Sequence, residues 1–134
     1  MTFTPQEIAY IGSQPIARLA TVAPDGQPDV VPVGFEFDGT SFYIGGMNPD
    51  RTRRTLNIQG GNDKVALVID DVTTEAGWAP RFLRVYGTAE VVERDTPQGA
   101  QLHLKLTPSL SWSWNLDGRP MAEAGSLATR RTVH

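Results

Sequence analysis

The sequence predicts a mostly β domain, a small antiparallel barrel of six or seven strands with two or three short helices. Short β-compatible runs recur between closely spaced turn signals. Strands and helices do not alternate regularly, which disfavours a doubly wound parallel sheet. A chain of 134 residues, 40% of them hydrophobic, is one domain (residues 1–134) with enough apolar material for a core.

Each element has a local cause. Thr4 is an N-cap, Pro5 suits the first helical position, and Glu7 completes a capping box. Phe3 and Ile8 stand at hydrophobic-staple positions, and the helix should end near Gly12–Ser13. Ile16 to Val22 reads as a strand and Pro24-Asp25-Gly26 as a turn. Asp29 to Phe37 is a second strand, in which Pro32 implies an edge, a bulge or an interrupted ladder. Asp38-Gly39 turns the chain into a third strand, Ser41 to Gly45. A helix follows, capped by Asp50 and stopped at Gly60-Gly61. Val65 to Ile69 is continuously apolar, as in a fully buried strand, and Asp70 to Pro80 is a loop. Phe82 to Val92 is a long strand bent or bulged at Gly87. Leu102, Leu104 and Leu106 alternate with polar residues in a further strand, which breaks at Thr107-Pro108. Leu110 to Leu116 forms another strand. Residues 118–126 are irregular, and Ala128 to Val133 adds a short strand.

Composition excludes several function classes. Twelve basic against fifteen acidic residues give a net charge of −3, unlike a general nucleic-acid binder. No apolar run approaches the roughly 18–20 residues that span a bilayer, and the N-terminus lacks the pattern of a signal peptide. With no cysteine there are no disulfides or thiolate sites, which fits a cytoplasmic protein. Only His103 and His134 are available to a histidine-based metal site. His103 falls on the polar face of its strand, so exposure is its expected state. Neither a P-loop nor a nucleophile-elbow pattern occurs. Asp70 and Asp71 are adjacent, so in a strand they point to opposite faces, and they could share acid/base work only if the strand has ended before them.

The most informative segment is Asp50-Arg51-Thr52-Arg53-Arg54-Thr55-Leu56-Asn57-Ile58. Three of twelve basic residues fall within four positions of an acidic chain. At a helix start these cations oppose the dipole, and an anion would relieve the conflict. The segment therefore reads either as a phosphate grip or as a solvated basic face.

The order of motifs resembles the split-barrel, FMN-binding superfamily of pyridoxamine 5′-phosphate oxidases, and within it the F420-dependent oxidoreductases. Ala17 to Val22 with Asp25-Gly26-Gln27-Pro28 resembles the first hairpin. Val30 to Phe35 resembles the strand along the cofactor ring. Thr52-Arg53-Arg54 with Asn57-Ile58 resembles the phosphate-binding helix start, and Arg84 to Val91 the long glycine-bearing strand. Ser113 to Asp117 is a weaker match, with Asn115 where glycine is usual.

The resemblance implies an F420-dependent oxidoreductase that passes a hydride from reduced deazaflavin to a small conjugated organic substrate. The alternatives are an FMN-binding oxidase-like protein, or a non-catalytic flavin, F420 or tetrapyrrole binder. It also implies a homodimer with the cofactor in a groove between protomers. Cofactor contacts would come from Val31, Pro32 and Val33 along the ring and from Arg51, Thr52, Arg53 and Arg54 at the phosphate. Asn57 would tie the helix to the phosphate loop, and Trp78 would cover the ring or substrate. Trp112 and Trp114, two apart, share a strand face and are interface or core residues as readily as site residues.

Overall fold

The computed structural model describes residues 2–46, 51–124 and 127–134. Its elements run α1 (Pro5–Ser13), β1 (Ala17–Val22), β2 (Pro28–Val33), β3 (Glu36–Phe37), β4 (Phe42–Ile44), α2 (Arg53–Gln59), β5 (Lys64–Thr73), β6 (Ala79–Thr96), β7 (Gly99–Trp114), α3 (Met121–Ala124) and β8 (Arg130–Val133). Seven strands form one antiparallel path, β2-β1-β5-β6-β7-β4-β3, and β8 adds to β7. The expected barrel class holds, with eight strands among the described residues where six or seven were expected.

The first helix forms as its sequence dictates. The Thr4 hydroxyl accepts from Glu7 N at 3.1 Å, and the Glu7 carboxylate accepts from Thr4 N at 2.9 Å. The two residues of the expected staple differ in burial. Ile8 is exposed, while the Phe3 ring packs edge-on against Phe37 and Phe42 and lies 4.3 Å from the His134 ring. Tyr10 fastens the helix to the sheet: its hydroxyl donates to Asp71 at 2.8 Å, and Asp71 is held at two points by Arg81, at 2.7 and 3.0 Å.

Pro32 stands on the sheet edge, one of the placements its missing N–H allows. The expected second strand divides at Gly34-Phe35: β2 pairs with β1, and β3 turns to pair with β4. Asp38 stabilises that turn by accepting from Thr40 N and Ser41 N, which holds its carboxyl down at about 2.

Three expectations are corrected. The strand beginning at Val65 runs on to Thr73 and β6 starts at Ala79, so the loop between them is residues 74–78 alone. Asp70 and Asp71 therefore lie within a strand, and they serve different partners: Asp70 meets Arg18, while Asp71 meets Arg81 and Tyr10. Only Val65, Leu67 and Ile69 of that run are buried in the chain's own core, because Ala66 and Val68 face the other side of the sheet. Thr107-Pro108 is not a break. The strand continues through a bulge in which Gly87 pairs with Pro108 and the Ser109 hydroxyl donates to Tyr86 O at 3.1 Å. Gly87 is required there, since a Cβ would lie 2.3 Å from the Thr107 carbonyl oxygen.

The core fills the inner side of the sheet with Leu19, Phe42, Ile44, Leu67, Ile69, Leu83, Val85, Leu104 and Leu106. The other side follows from the register. One row reads Pro32, Arg18, Val68, Arg84, Trp112, Arg131, and the next reads Val30, Ala20, Ala66, Tyr86, Leu110, Val133. Trp112 and Trp114 thus do share a face, the outer one. Arg84 stacks over Trp112 at 4.2 Å, and Phe82 stacks with Trp114.

Candidate functional site

The arginine-bearing helix starts two residues later than expected. Thr52 is its N-cap, with its hydroxyl accepting from Thr55 N at 3.4 Å and donating to Thr55 Oγ1 at 3.0 Å. The expected cap, Asp50, lies outside the described residues. Arg51 precedes the helix, and Arg53 and Arg54 open it. Asn57 is 1% exposed and donates to Thr21 Oγ1 at 2.9 Å. It therefore ties the helix to β1.

That tie sets the direction of the arginines. Asp29 of β2 pairs across from Thr21, and β4 ends at Ile44, just before Gly45-Gly46. Arg54 reaches between these elements. Its Nη2 donates to Gly45 O at 2.9 Å, and a Cβ on Gly46, whose φ is +128°, would lie 3.0 Å from the same nitrogen. Burial lowers the Arg54 pKa, and the charge of Asp29 acts against that shift. Among the described residues no carboxylate comes within 4 Å of Arg54, Arg53 or Arg51, the ion pairs being Arg18–Asp70, Arg81–Asp71 and Arg94–Glu36. Arg51 and Arg53 are exposed, whereas Arg54 is half-buried.

A partly desolvated guanidinium in a glycine cradle, with two further arginines within three positions of it in sequence, is a donor set that suits an anionic oxygen group. A phosphate monoester fits it, since planar arginine forks can each present two N–H groups to phosphate oxygens.

The remaining expected residues divide. Val31 and Val33 point toward the core, the first half-buried and the second buried, while Pro32 is exposed on the outer face. Among the described residues β2 pairs on one side alone, and Val30 and Pro32 point outward while Val31 and Val33 point inward, so the three residues do not line one surface with their side chains. Trp78 is 58% exposed in the loop 74–78. α2 feeds into β5 at Lys64, and the loop lies beyond its other end at Thr73, roughly 30 Å along the strand at about 3.3 Å per residue. Within the chain, Trp78 and the arginines therefore lie toward opposite ends of β5. Sequence reasoning read Gly45-Gly46 only as the break before the helix and missed it as the cradle of Arg54, although paired glycines at a strand end carry a signal of close backbone approach. It also left His103 as a surface residue; the ring is half-buried against Gly45.

Among the described residues no group of three metal-ligating side chains assembles, and no helix is long and apolar enough to cross a membrane.

Comparison with known proteins agrees with this fold. The model of the pyridoxamine 5′-phosphate oxidase family matches residues 3–109. A 5a,11a-dehydrotetracycline/5a,11a-dehydrooxytetracycline reductase of Streptomyces rimosus is 35% identical over 125 residues, spanning 88% of this chain and 87% of that protein. A protein from Lactobacillus delbrueckii, provisionally described as a pyridoxamine 5′-phosphate oxidase, superposes with a TM-score of 0.63 at 26% identity, over 82% of this chain and 93% of its own. A conserved protein from Mycobacterium tuberculosis superposes with a TM-score of 0.68 at 18% identity, over 87% of each chain, a likeness of fold. With the family model covering most of the strands and the arginine helix, the chain belongs to the pyridoxamine 5′-phosphate oxidase family.

Proposed function

We propose that the protein is an F420-dependent oxidoreductase that reduces a small conjugated organic substrate, working as a homodimer. The coarser part, an oxidoreductase or flavin-binding function, is supported by the family and by the reductase relative. The observation that carries the site is the half-buried Arg54, held by Gly45 O without a carboxylate within 4 Å among the described residues.

Arg54 would bind the cofactor's phosphate in the cradle, with Arg53 and Arg51 completing the charge at its rim. Thr52 would fix the helix start that aims them, since its hydroxyl already serves as cap. The free edge of β2 at Val31, Pro32 and Val33 would orient the ring through backbone groups, as an edge strand can. The bound coenzyme supplies the hydride; the protein supplies binding, orientation and exclusion of water. An electron-poor double bond conjugated to a carbonyl is the matching substrate class, in keeping with the dehydrotetracycline named for the relative. FMN is the second reading for the cofactor, favoured by the family itself.

The homodimer is supported by the outer face. Val65 to Ile69 is apolar at every position, a pattern for a strand covered on both sides, yet one protomer covers only one side. The uncovered rows carry Val30 (68% exposed), Ala20, Ala66, Val68, Tyr86 and Trp112. A second copy over these rows would also close the groove beside β2 and bring a partner's Trp78 or Trp114 within reach of the ring.

The test is titration with F420 and with FMN, read by absorbance, beside size-exclusion chromatography. Binding of one coenzyme by a dimer, with at least tenfold weaker affinity in Arg53→Ala/Arg54→Ala, is expected. Affinity unchanged in that double variant would reject the site. Val30→Asp should shift the protein to monomer while preserving its circular dichroism; a persistent dimer would reject the face.

A further inference from the structure

We propose that the cleft between the β3–β4 hairpin and β7 is a hydroxyl-recognition site, in which His103 Nε2 accepts a hydrogen bond from a bound ligand. The cleft holds about 290 Å³ and is walled by Phe35, Glu36, Tyr43, Gly45, Gly46 and His103. It adjoins the phosphate cradle proposed above, because the same two glycines form part of both.

The imidazole is set by two contacts. Nδ1 lies 3.3 Å from Gln101 O, and a carbonyl oxygen only accepts. Nδ1 therefore carries the proton in the neutral ring, and Nε2 presents a lone pair. Nε2 lies over Gly45, so close that a Cβ there would come within 2.8 Å of it. No described residue donates a hydrogen bond to Nε2.

The rest of the wall favours a donor over an anion. Glu36 places a carboxylate at the cleft, one oxygen of which takes Arg94 at 2.8 Å. The Arg94 guanidinium lies 4.1 Å over the Tyr43 ring, and the Tyr43 hydroxyl donates to Asp38 at 3.2 Å. What remains at this wall is acceptor capacity between two aromatic rings and a side-chain-free glycine floor. A flat or extended ligand rich in hydroxyl groups meets these conditions. Two sources supply that chemistry: the polyol chain of a flavin-type cofactor, which adjoins its phosphate, or a phenol or enol hydroxyl of a fused-ring substrate. The first source rests on the cofactor reading above; the second does not.

The experiment compares full-length His103→Phe, which keeps a ring but no acceptor, with His103→Gln, which keeps an acceptor near the Nε2 position. FMN and tetracycline are the probes, and affinity is read by fluorescence. Gly45→Ala displaces the imidazole without changing it and should behave as His103→Phe does; unchanged thermal midpoints report intact folding. We expect His103→Phe to weaken one probe by about tenfold and His103→Gln to stay within about threefold of the parent. Weakening of FMN assigns the polyol, and weakening of tetracycline alone assigns the fused-ring hydroxyl. Unchanged affinity for both probes, or equal loss in Phe and Gln variants, overturns the proposal. Should Arg53→Ala/Arg54→Ala leave FMN binding intact, the cofactor reading fails while the tetracycline comparison still stands.

Discussion

Truncating the three arginines one at a time gives the sharpest test of the phosphate cradle, because their surroundings differ. Arg54 is half-buried, is held by Gly45 O at 2.9 Å, and has its positive charge disfavoured by burial. A phosphate there would gain charge-assisted hydrogen bonds shielded from water, each contributing about 1.5–3 kcal/mol. Losing one such bond weakens binding by about 10–150-fold. Arg51 and Arg53 are exposed, where an ion pair contributes about 0.2–1 kcal/mol, a factor of at most about five. Arg54→Ala should therefore weaken FMN or F420 binding far more than Arg51→Ala or Arg53→Ala. The losses at Arg51 and Arg53 should shrink further as salt is raised, since exposed charges are screened first. Calorimetric titration at low and at physiological ionic strength measures both effects. Three equal losses, or a larger loss at Arg51 than at Arg54, would refute the reasoning, because burial would not be what makes Arg54 the anchor.

Other outcomes follow from the fold. Gly87→Ala should destabilise the protein by about 1–3 kcal/mol or more, read from thermal or urea unfolding, since the added Cβ meets the Thr107 carbonyl at 2.3 Å and Leu106 Cδ2 at 2.9 Å; an unchanged midpoint would mean the bulge is absent. Asp71 has its carboxyl held below its usual value, chiefly by hydrogen bonding to Arg81. Its contribution to stability is thus present above the unfolded value of 3.8 and lost as pH falls through the lower folded value, and Asp71→Asn should flatten that acid limb of the stability curve. Tyr10 has its hydroxyl pKa raised, first by burial and then by its bond to Asp71. Above pH 10 the unfolded chain releases this proton while the folded chain keeps it, so stability falls with rising pH, and Tyr10→Phe should remove that alkaline slope.

The sequence by itself determined the features whose causes are local. The capping box at Thr4 and Glu7 and the turns at Pro24–Gly26 and Asp38-Gly39 follow from what neighbouring backbone atoms permit, while Pro32 left an edge, a bulge or an interrupted ladder open and Gly87 a bend or a bulge, and the sheet chose the edge and the bulge. The clustering of Arg51, Arg53 and Arg54 was equally visible, because charge density is a property of the chain itself. Only the tertiary structure decided what those residues meet. It showed that Asn57 spends its amide on Thr21, that Arg54 is half-buried and donates to Gly45 O, and that β7 passes through Pro108 without stopping. It also set Trp78 and the arginines toward opposite ends of β5. The physical reason is that burial, hydrogen-bond partners and register are fixed between segments tens of residues apart. A guanidinium on a helix is a solvated charge or an anion anchor according to which distant strand end closes over it.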